Sequence, residues 1–256
     1  MITAKNNSRV KRVALLCASA AKRAESSLFV LEGSRLCSEL LRGNFAVQEL
    51  YYTAAAAQKN DALLQQLCQR ACFYTEVSEP VFAKMADTKN PQGILSVVKM
   101  PASVNKLPSG RYLAFEQVSD PGNLGAAART ADALGFAGLI LTQNGVDPYS
   151  PKAMRASMGA LLRLPLYTVQ NLSAALPQFK SQGFVVSGTV VEKTAEPITK
   201  VQFTKNEIAV IGNEANGMTD SARQCCDRLI TIPMAGRAES LNAAVAAAIV
   251  MWEMCK

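Results

Sequence analysis

Short apolar runs alternate with stretches whose apolar residues recur every three to four positions, the pattern of strands separated by helices. In the first part of the chain, residues 28–31 and 47–52 read as strands, 33–41 and 61–71 as helices, and 93–98 as a closing strand. The second part predicts strands at 112–115, 138–141, 184–187, 207–211 and 229–232. Helices are expected at 123–134, 152–161, 172–182, 219–226 and 240–252. Strands separated by helices imply an α/β fold with a mostly parallel sheet, whose ligands lie beyond the carboxyl ends of the strands. In the last helix, Leu241, Val245, Ile249 and Trp252 fall on one stripe.

Residues 99–111 hold two prolines, a glycine and small polar residues, and so read as a linker between domains 1–106 and 107–256. The charge supports this division. Of the +7 net charge, residues 1–106 carry 14 basic against 8 acidic side chains, net +6, while residues 107–256 carry 13 against 12. The excess is sharpest at the front, where Lys5, Arg9, Lys11, Arg12, Lys22 and Arg23 all precede the first acid, Glu25. That run is either a solvated arm or an electrostatic footprint for a phosphate backbone. Residues 5–23 suggest a basic amphipathic helix rather than a leader peptide, since the apolar stretch is short and runs into Lys22 and Arg23.

Two absences narrow the chemistry. The chain has no histidine, which excludes a histidine triad, histidine-ligated zinc or a histidine general base. Its seven cysteines contain no Cys-x-x-Cys pair, so they are read as free thiols of a reducing, cytoplasmic compartment, with no metal site. The longest apolar run, 243–252, is far short of the ~20 residues of a membrane span.

Three loops of the second part carry polar residues straight after strands. The first, DPGNLGAAARTADALG at 120–135, places Asn123 at a helix start and Arg129 off the apolar face formed by Leu124, Ala127, Ala131 and Leu134. Asn123 could be a helix cap and Arg129 a solvent charge. No G-x-G-x-x-G follows this strand, so the dinucleotide fingerprint is missing. The second loop, GNEANG at 212–217, sets Glu214 between Gly212 and Gly217, as suits a backbone that approaches a ligand closely, although an ordinary turn would also fit. The third, IPMAGRAESLN at 232–242, has Ser240 as a candidate cap and Asn242 in the polar first turn of the last helix.

Together these loops resemble the three ordered motifs of the SpoU (TrmH-like) family of SPOUT-class RNA 2′-O-ribose methyltransferases. Asn123, Gly125, Arg129 and Thr130, followed by ALG at 133–135, are similar to N-x-G-x-x-x-R-T. Residues 212–217 are similar to G-(S/N)-E-x-x-G, and 232–234 with 240–242 to I-P-M and S-L-N. The segment YSPKAMRASMGA at 149–160 also resembles the family, and FVLEGSRL at 29–36 is similar to the start of its L30e-like RNA-binding domain. Ala215 departs from the pattern, since many relatives carry a second glycine there, and residues 236–239 are not diagnostic.

The resemblance implies an L30e-like front domain and a trefoil-knotted α/β methyltransferase domain that binds S-adenosylmethionine. It nominates Thr189, Gly212, Gly217, Ile232, Met234 and Leu241 for the cofactor, and Asn123, Arg129, Glu214, Ser240 and Asn242 for catalysis. Arg129 would act as base or as phosphate and alkoxide stabiliser. Asn123, Ser240 and Asn242 would orient the ribose and loop, and Glu214 would hold Arg129 or the motif loops. For RNA it nominates Lys5, Arg9, Lys11, Arg12, Arg35 and Arg155. It further implies a homodimer, with ribosomal RNA preferred over transfer RNA as substrate. A non-catalytic RNA-binding protein and a Rossmann-type small-molecule enzyme are the competing readings.

Overall fold

The computed structural model describes residues 1–101 and 106–256. Residues 102–105, inside the linker expected at 99–111, lie outside the described residues. The chain forms two compact units, Met1–Ala102 with Asp147–Gly159, and Ser103–Val146 with Ala160–Lys256.

The first unit runs α1 (Ser8–Ala18), α2 (Ala20–Ser26), β1 (Leu28–Glu32), α3 (Ser34–Glu39), β2 (Val47–Tyr52), α4 (Ala54–Lys59), α5 (Asp61–Arg70), β3 (Ala71–Glu76), α6 (Glu79–Met85) and β4 (Ile94–Lys99). Its sheet has the order β1-β4-β2-β3, with β4 antiparallel to both β1 and β2 and β3 parallel to β2. The sequence pattern misses β3. Its residues alternate between half-buried and exposed and run straight out of α5, so no apolar run marks a new element. Val10, Val13 and Leu16 of α1 bury one helical face against Val81, Phe82 and Met85 of α6 and against the sheet. The basic residues of that helix are therefore one face of a docked element.

Helix α8 (Pro151–Ser157) packs on β1, which groups residues 147–159 with the first unit although they follow the second unit's early strands in sequence. The helix expected at 152–161 is in fact two, because Met158 and Gly159 take left-handed backbone conformations at φ 51° and 88°.

The second unit contains β5 (Arg111–Phe115), α7 (Pro121–Ala133), β6 (Gly138–Thr142), α9 (Ala160–Arg163), β7 (Leu166–Val169), α10 (Leu172–Ser181), β8 (Val185–Thr189), β9 (Glu196–Pro197), β10 (Glu207–Ile211), α11 (Asp220–Gln224), β11 (Arg228–Thr231) and α12 (Ala243–Met254). All seven strands pair in parallel, in the order β7-β6-β5-β10-β8-β11-β9. Strands β6 and β10 are buried along their whole length, as a sheet covered on both faces requires. One face packs Tyr112, which meets Tyr167 and Phe184 edge-on at 5.7 and 5.6 Å, with Leu176, Phe179 and Val210. Helix α12 packs against α7 and against β5 and β10.

Helix α12 turns its stripes unexpectedly. Ala243, Ala247, Val250, Met251 and Met254 face the core, whereas Val245 is 48% and Trp252 59% exposed. The stripe expected from Leu241, Val245, Ile249 and Trp252 is thus the outer one. The core side instead mixes two alanines with Val250, Met251 and Met254, and it packs against α7.

Candidate active site

Four loops leave the carboxyl ends of β5, β8, β10 and β11, which are neighbours in the sheet. Three of them, after β8, β10 and β11, line one cleft of about 380 Å3. Its walls include Thr189, Ile211, Gly212, Gly217, Met218, Ile232, Met234 and Leu241, so all six residues expected to hold a cofactor are brought together there. Glu214 and Ser240 also line it. Asn123, Arg129 and Asn242 lie outside this lining, and two of them, Asn123 and Asn242, reach it through Glu214.

That connection is a relay of side-chain amides. Asn242 donates from Nδ2 to Asn123 Oδ1 at 2.9 Å, and Asn123 donates from Nδ2 to Glu214 Oε1 at 2.9 Å. Glu214 accepts further bonds from the Ser119 N–H and hydroxyl at 3.1 and 3.2 Å and from the Asp120 N–H at 3.3 Å. One carboxylate thus ties together the loops after β5 and β10, and the relay adds the start of α12. Burial by itself pushes the Glu214 carboxyl up, but the bonds from Asn123 and the backbone N–H groups outweigh it and hold the group below its ordinary value of 4.5.

Local structure fixes each partner. Asp120 caps α7 by accepting from the Asn123 N–H at 3.0 Å, with Pro121 in the first turn, so Asn123 is free of the cap role that its position suggests. Asn242, and not Ser240, caps α12, its Oδ1 accepting from the Ala244 and Val245 N–H groups at 2.9 and 3.3 Å. With the oxygen committed to the cap, the Asn242 amide nitrogen must point at Asn123.

The glycines act differently from expectation. A side chain on Gly212 would lie 2.3 Å from the carbonyl carbon of Gly217, so Gly212 is needed where the loop approaches itself. Gly217, at φ 69°, takes the left-handed turn that closes this loop. Asn213, which sequence reasoning passes over within its own motif, locks the turn. It exchanges backbone bonds with Gly217 at 3.0 and 2.9 Å, accepts from the Ala215 and Asn216 N–H groups, and donates to the Gln117 carbonyl at 2.8 Å. Gln117 is itself left-handed at φ 53°.

Arg129 is exposed, and among the described residues it has no hydrogen-bond or ion-pair partner. Glu214 bonds to Ser119, Asp120 and Asn123, and not to Arg129, among the described residues. The basic residues of the first unit behave otherwise. Arg9 and Arg12 both pair with the buried Glu49, and Arg9 also lies 4.0 Å over the Phe73 ring. Arg155 pairs with Asp87 at 2.6 Å. Arg23, only 4% exposed, binds Asp147 at 2.6 Å and the Leu16 and Cys17 carbonyls, which removes it from any surface footprint. Lys5, Lys11 and Arg35 are exposed and form no ion pair among the described residues. All seven cysteines are free thiols. Burial pushes Cys17, Cys37 and Cys226 up to about 12, which disfavours their thiolate forms at neutral pH.

The chain matches the SpoU rRNA methylase family model over residues 110–252, which include most of the second unit and the 147–159 segment of the first. The chain belongs to the SpoU rRNA methylase family. The MRM3-like substrate binding domain model matches residues 7–96, the front of this SpoU chain. A curated relative, the 23S rRNA (guanosine(2553)-2′-O)-methyltransferase RlmP of Bacillus subtilis, is 30% identical over 91% of this chain and 90% of its own length. The 23S rRNA (uridine(2479)-2′-O)-methyltransferase of Streptomyces viridochromogenes is also 30% identical, over 96% of this chain and 89% of that one. Among solved structures, the AdoMet-bound rRNA methyltransferase of Sinorhizobium meliloti superposes with a TM-score of 0.88 at 28% identity, covering 99% of this chain and 96% of that chain.

Proposed function

We propose that this protein transfers a methyl group from S-adenosylmethionine to a ribose 2′-hydroxyl of ribosomal RNA. The observation that carries the reading is the Asn242–Asn123–Glu214 relay, which draws three SpoU motifs to one cleft; the first of these motifs also holds Arg129, an arginine without a partner among the described residues. Relatives that match nearly the whole chain are named 23S rRNA 2′-O-methyltransferases.

The cleft fits the cofactor. Ile232, Met234 and Leu241 offer apolar walls for an adenine, and Gly217 has open space where a side chain would stand. The Thr189 hydroxyl is buried and has no partner among the described residues, a cost that a bound polar group would remove. When bound, S-adenosylmethionine supplies an electrophilic methyl group. The protein's own residues prepare the nucleophile. Arg129, with a guanidinium that stays protonated at neutral pH, is a poor base and a good anion clamp. It grips the phosphate beside the target nucleotide and stabilises charge as it develops on the 2′-oxygen. Asn123 and Asn242 are held rigidly enough to orient the ribose, with Ser240 at the cleft wall, and positioning of this kind supplies much of the rate. Glu214 is a positioning residue.

The first unit holds the RNA through Lys5, Lys11 and Arg35, with Arg9, Arg12 and Arg155 contributing only what their internal pairs leave over. The exposed apolar stripe of α12, with Val245 and Trp252, supports a homodimer formed through that helix. The placement of β8 between the later strands β10 and β11 supports the trefoil knot expected of the family. Seven free thiols support a cytoplasmic setting.

The test is transfer of labelled methyl from S-adenosylmethionine to ribosomal RNA by the purified protein, followed by mapping of 2′-O-methyl positions in a deletion strain and its parent. RNA binding without methyl transfer would overturn the reading in favour of a binding protein.

A further inference from the structure

One charged pair in the cleft is left unused by these roles. Glu192, in the turn after β8, and Arg223, on α11, both line the cleft, and their side chains meet at 2.6 Å. Each is held by its own anchor. The Glu192 carbonyl accepts from the Ala195 N–H at 3.2 Å. Helix α11 is capped by Thr219, whose N–H and hydroxyl donate to the buried Glu116 at 2.9 and 2.6 Å. Among the described residues that line the cleft, Arg223 is the one cation, and the others are apolar, polar or acidic. Its pair with Glu192 is partly exposed, and such a pair contributes little by itself, so each end can exchange its partner for a ligand group at small cost.

We propose that Arg223 and Glu192 form the subsite for the α-amino-acid end of the methyl donor, Arg223 taking its carboxylate and Glu192 its ammonium. The inference rests on the reading of this cleft as the S-adenosylmethionine site. A zwitterion presents one anion and one cation a few bonds apart, and the protein presents the complementary two side by side on the cleft wall. The planar guanidinium adds a two-pronged match to a carboxylate that a lysine lacks.

Calorimetry on the full chain with two ligands tests it: S-adenosylmethionine, and 5′-methylthioadenosine, which keeps the nucleoside and sulfur but lacks the amino acid. Arg223→Gln is expected to weaken S-adenosylmethionine about tenfold or more while 5′-methylthioadenosine stays within about twofold. Glu192→Gln is expected to act in the same direction, and the wild type to bind decarboxylated S-adenosylmethionine about as weakly as Arg223→Gln binds the intact donor. Unchanged donor affinity in Arg223→Gln, equal loss of both ligands, or full affinity of the wild type for the decarboxylated donor each overturns the subsite. Failure of the wild type to bind S-adenosylmethionine at all would instead overturn the reading of the cleft.

Discussion

Both units pair arginines with carboxylates, as Arg163, Arg223 and Arg228 do in the second, but they differ in which arginine is left over. In the first, Arg9, Arg12, Arg23 and Arg155 each find a carboxylate partner, and much of the charge that composition offers to RNA goes into holding the unit together. In the second, Glu214 is fully occupied by amides and a hydroxyl, and Arg129, from the first motif, has no partner among the described residues. Composition makes the first unit the basic one. Arg129, in the nearly neutral unit, is nonetheless the arginine we propose for the anion, since it too has no partner among the described residues. Net charge counts side chains, whereas binding depends on which of them still lack a counter-ion.

The strongest way to break this contrast is Arg129→Ala. Loss of the charge proposed to stabilise the reacting oxygen should slow methyl transfer by about 10²- to 10³-fold, with S-adenosylmethionine affinity nearly intact by calorimetry. Comparable loss of cofactor affinity would mean that Arg129 builds the cleft. Next comes Arg23→Ala, which strands Asp147 and two carbonyls. It should destabilise the first unit by about 3 kcal/mol in denaturant unfolding, and a change near zero would return Arg23 to the surface set.

The relay is tested by a double-mutant cycle. Asn123→Ala and Asn242→Ala should each lower the rate, and the pair should lose less than the product of the single losses, because the residues act through one chain of bonds. Acidity probes its other end. A carboxyl held below its unfolded value contributes stability that is fully present above that value, near 4.5, and is lost as pH falls through the lower folded value. Hydrogen exchange of the Gly217 amide should therefore keep its protection down to about pH 5 and lose it only in stronger acid. The mildest change belongs to the first unit's surface. Lys5→Ala with Lys11→Ala should weaken RNA binding modestly and flatten its salt dependence by about two counter-ions. Arg12→Ala should instead act mainly on folding.

Much of the site is legible in the sequence. The second unit's strand at 207–211 and the order of its three loops follow from apolar runs broken by glycine and asparagine, because a sheet covered on both faces leaves that mark in the local sequence. The α12 stripe is not legible. Its helix is apolar nearly all round, so periodicity cannot say which side meets α7. Cap assignments are ambiguous for a related reason. Asp120, Asn123, Ser240 and Asn242 are all good caps, and only the backbone path selects which of them accepts the free N–H groups.

Local spacing is enough to set the α/β alternation, the family and the residues that meet at the cleft, since each is written in intervals of a few residues. Which charges remain free and which apolar face stays outside depend on the folded chain. Arg9 finds Glu49 across 40 residues and Arg23 finds Asp147 across 124, so whether a cation is spent or available is settled by contacts that no local spacing records.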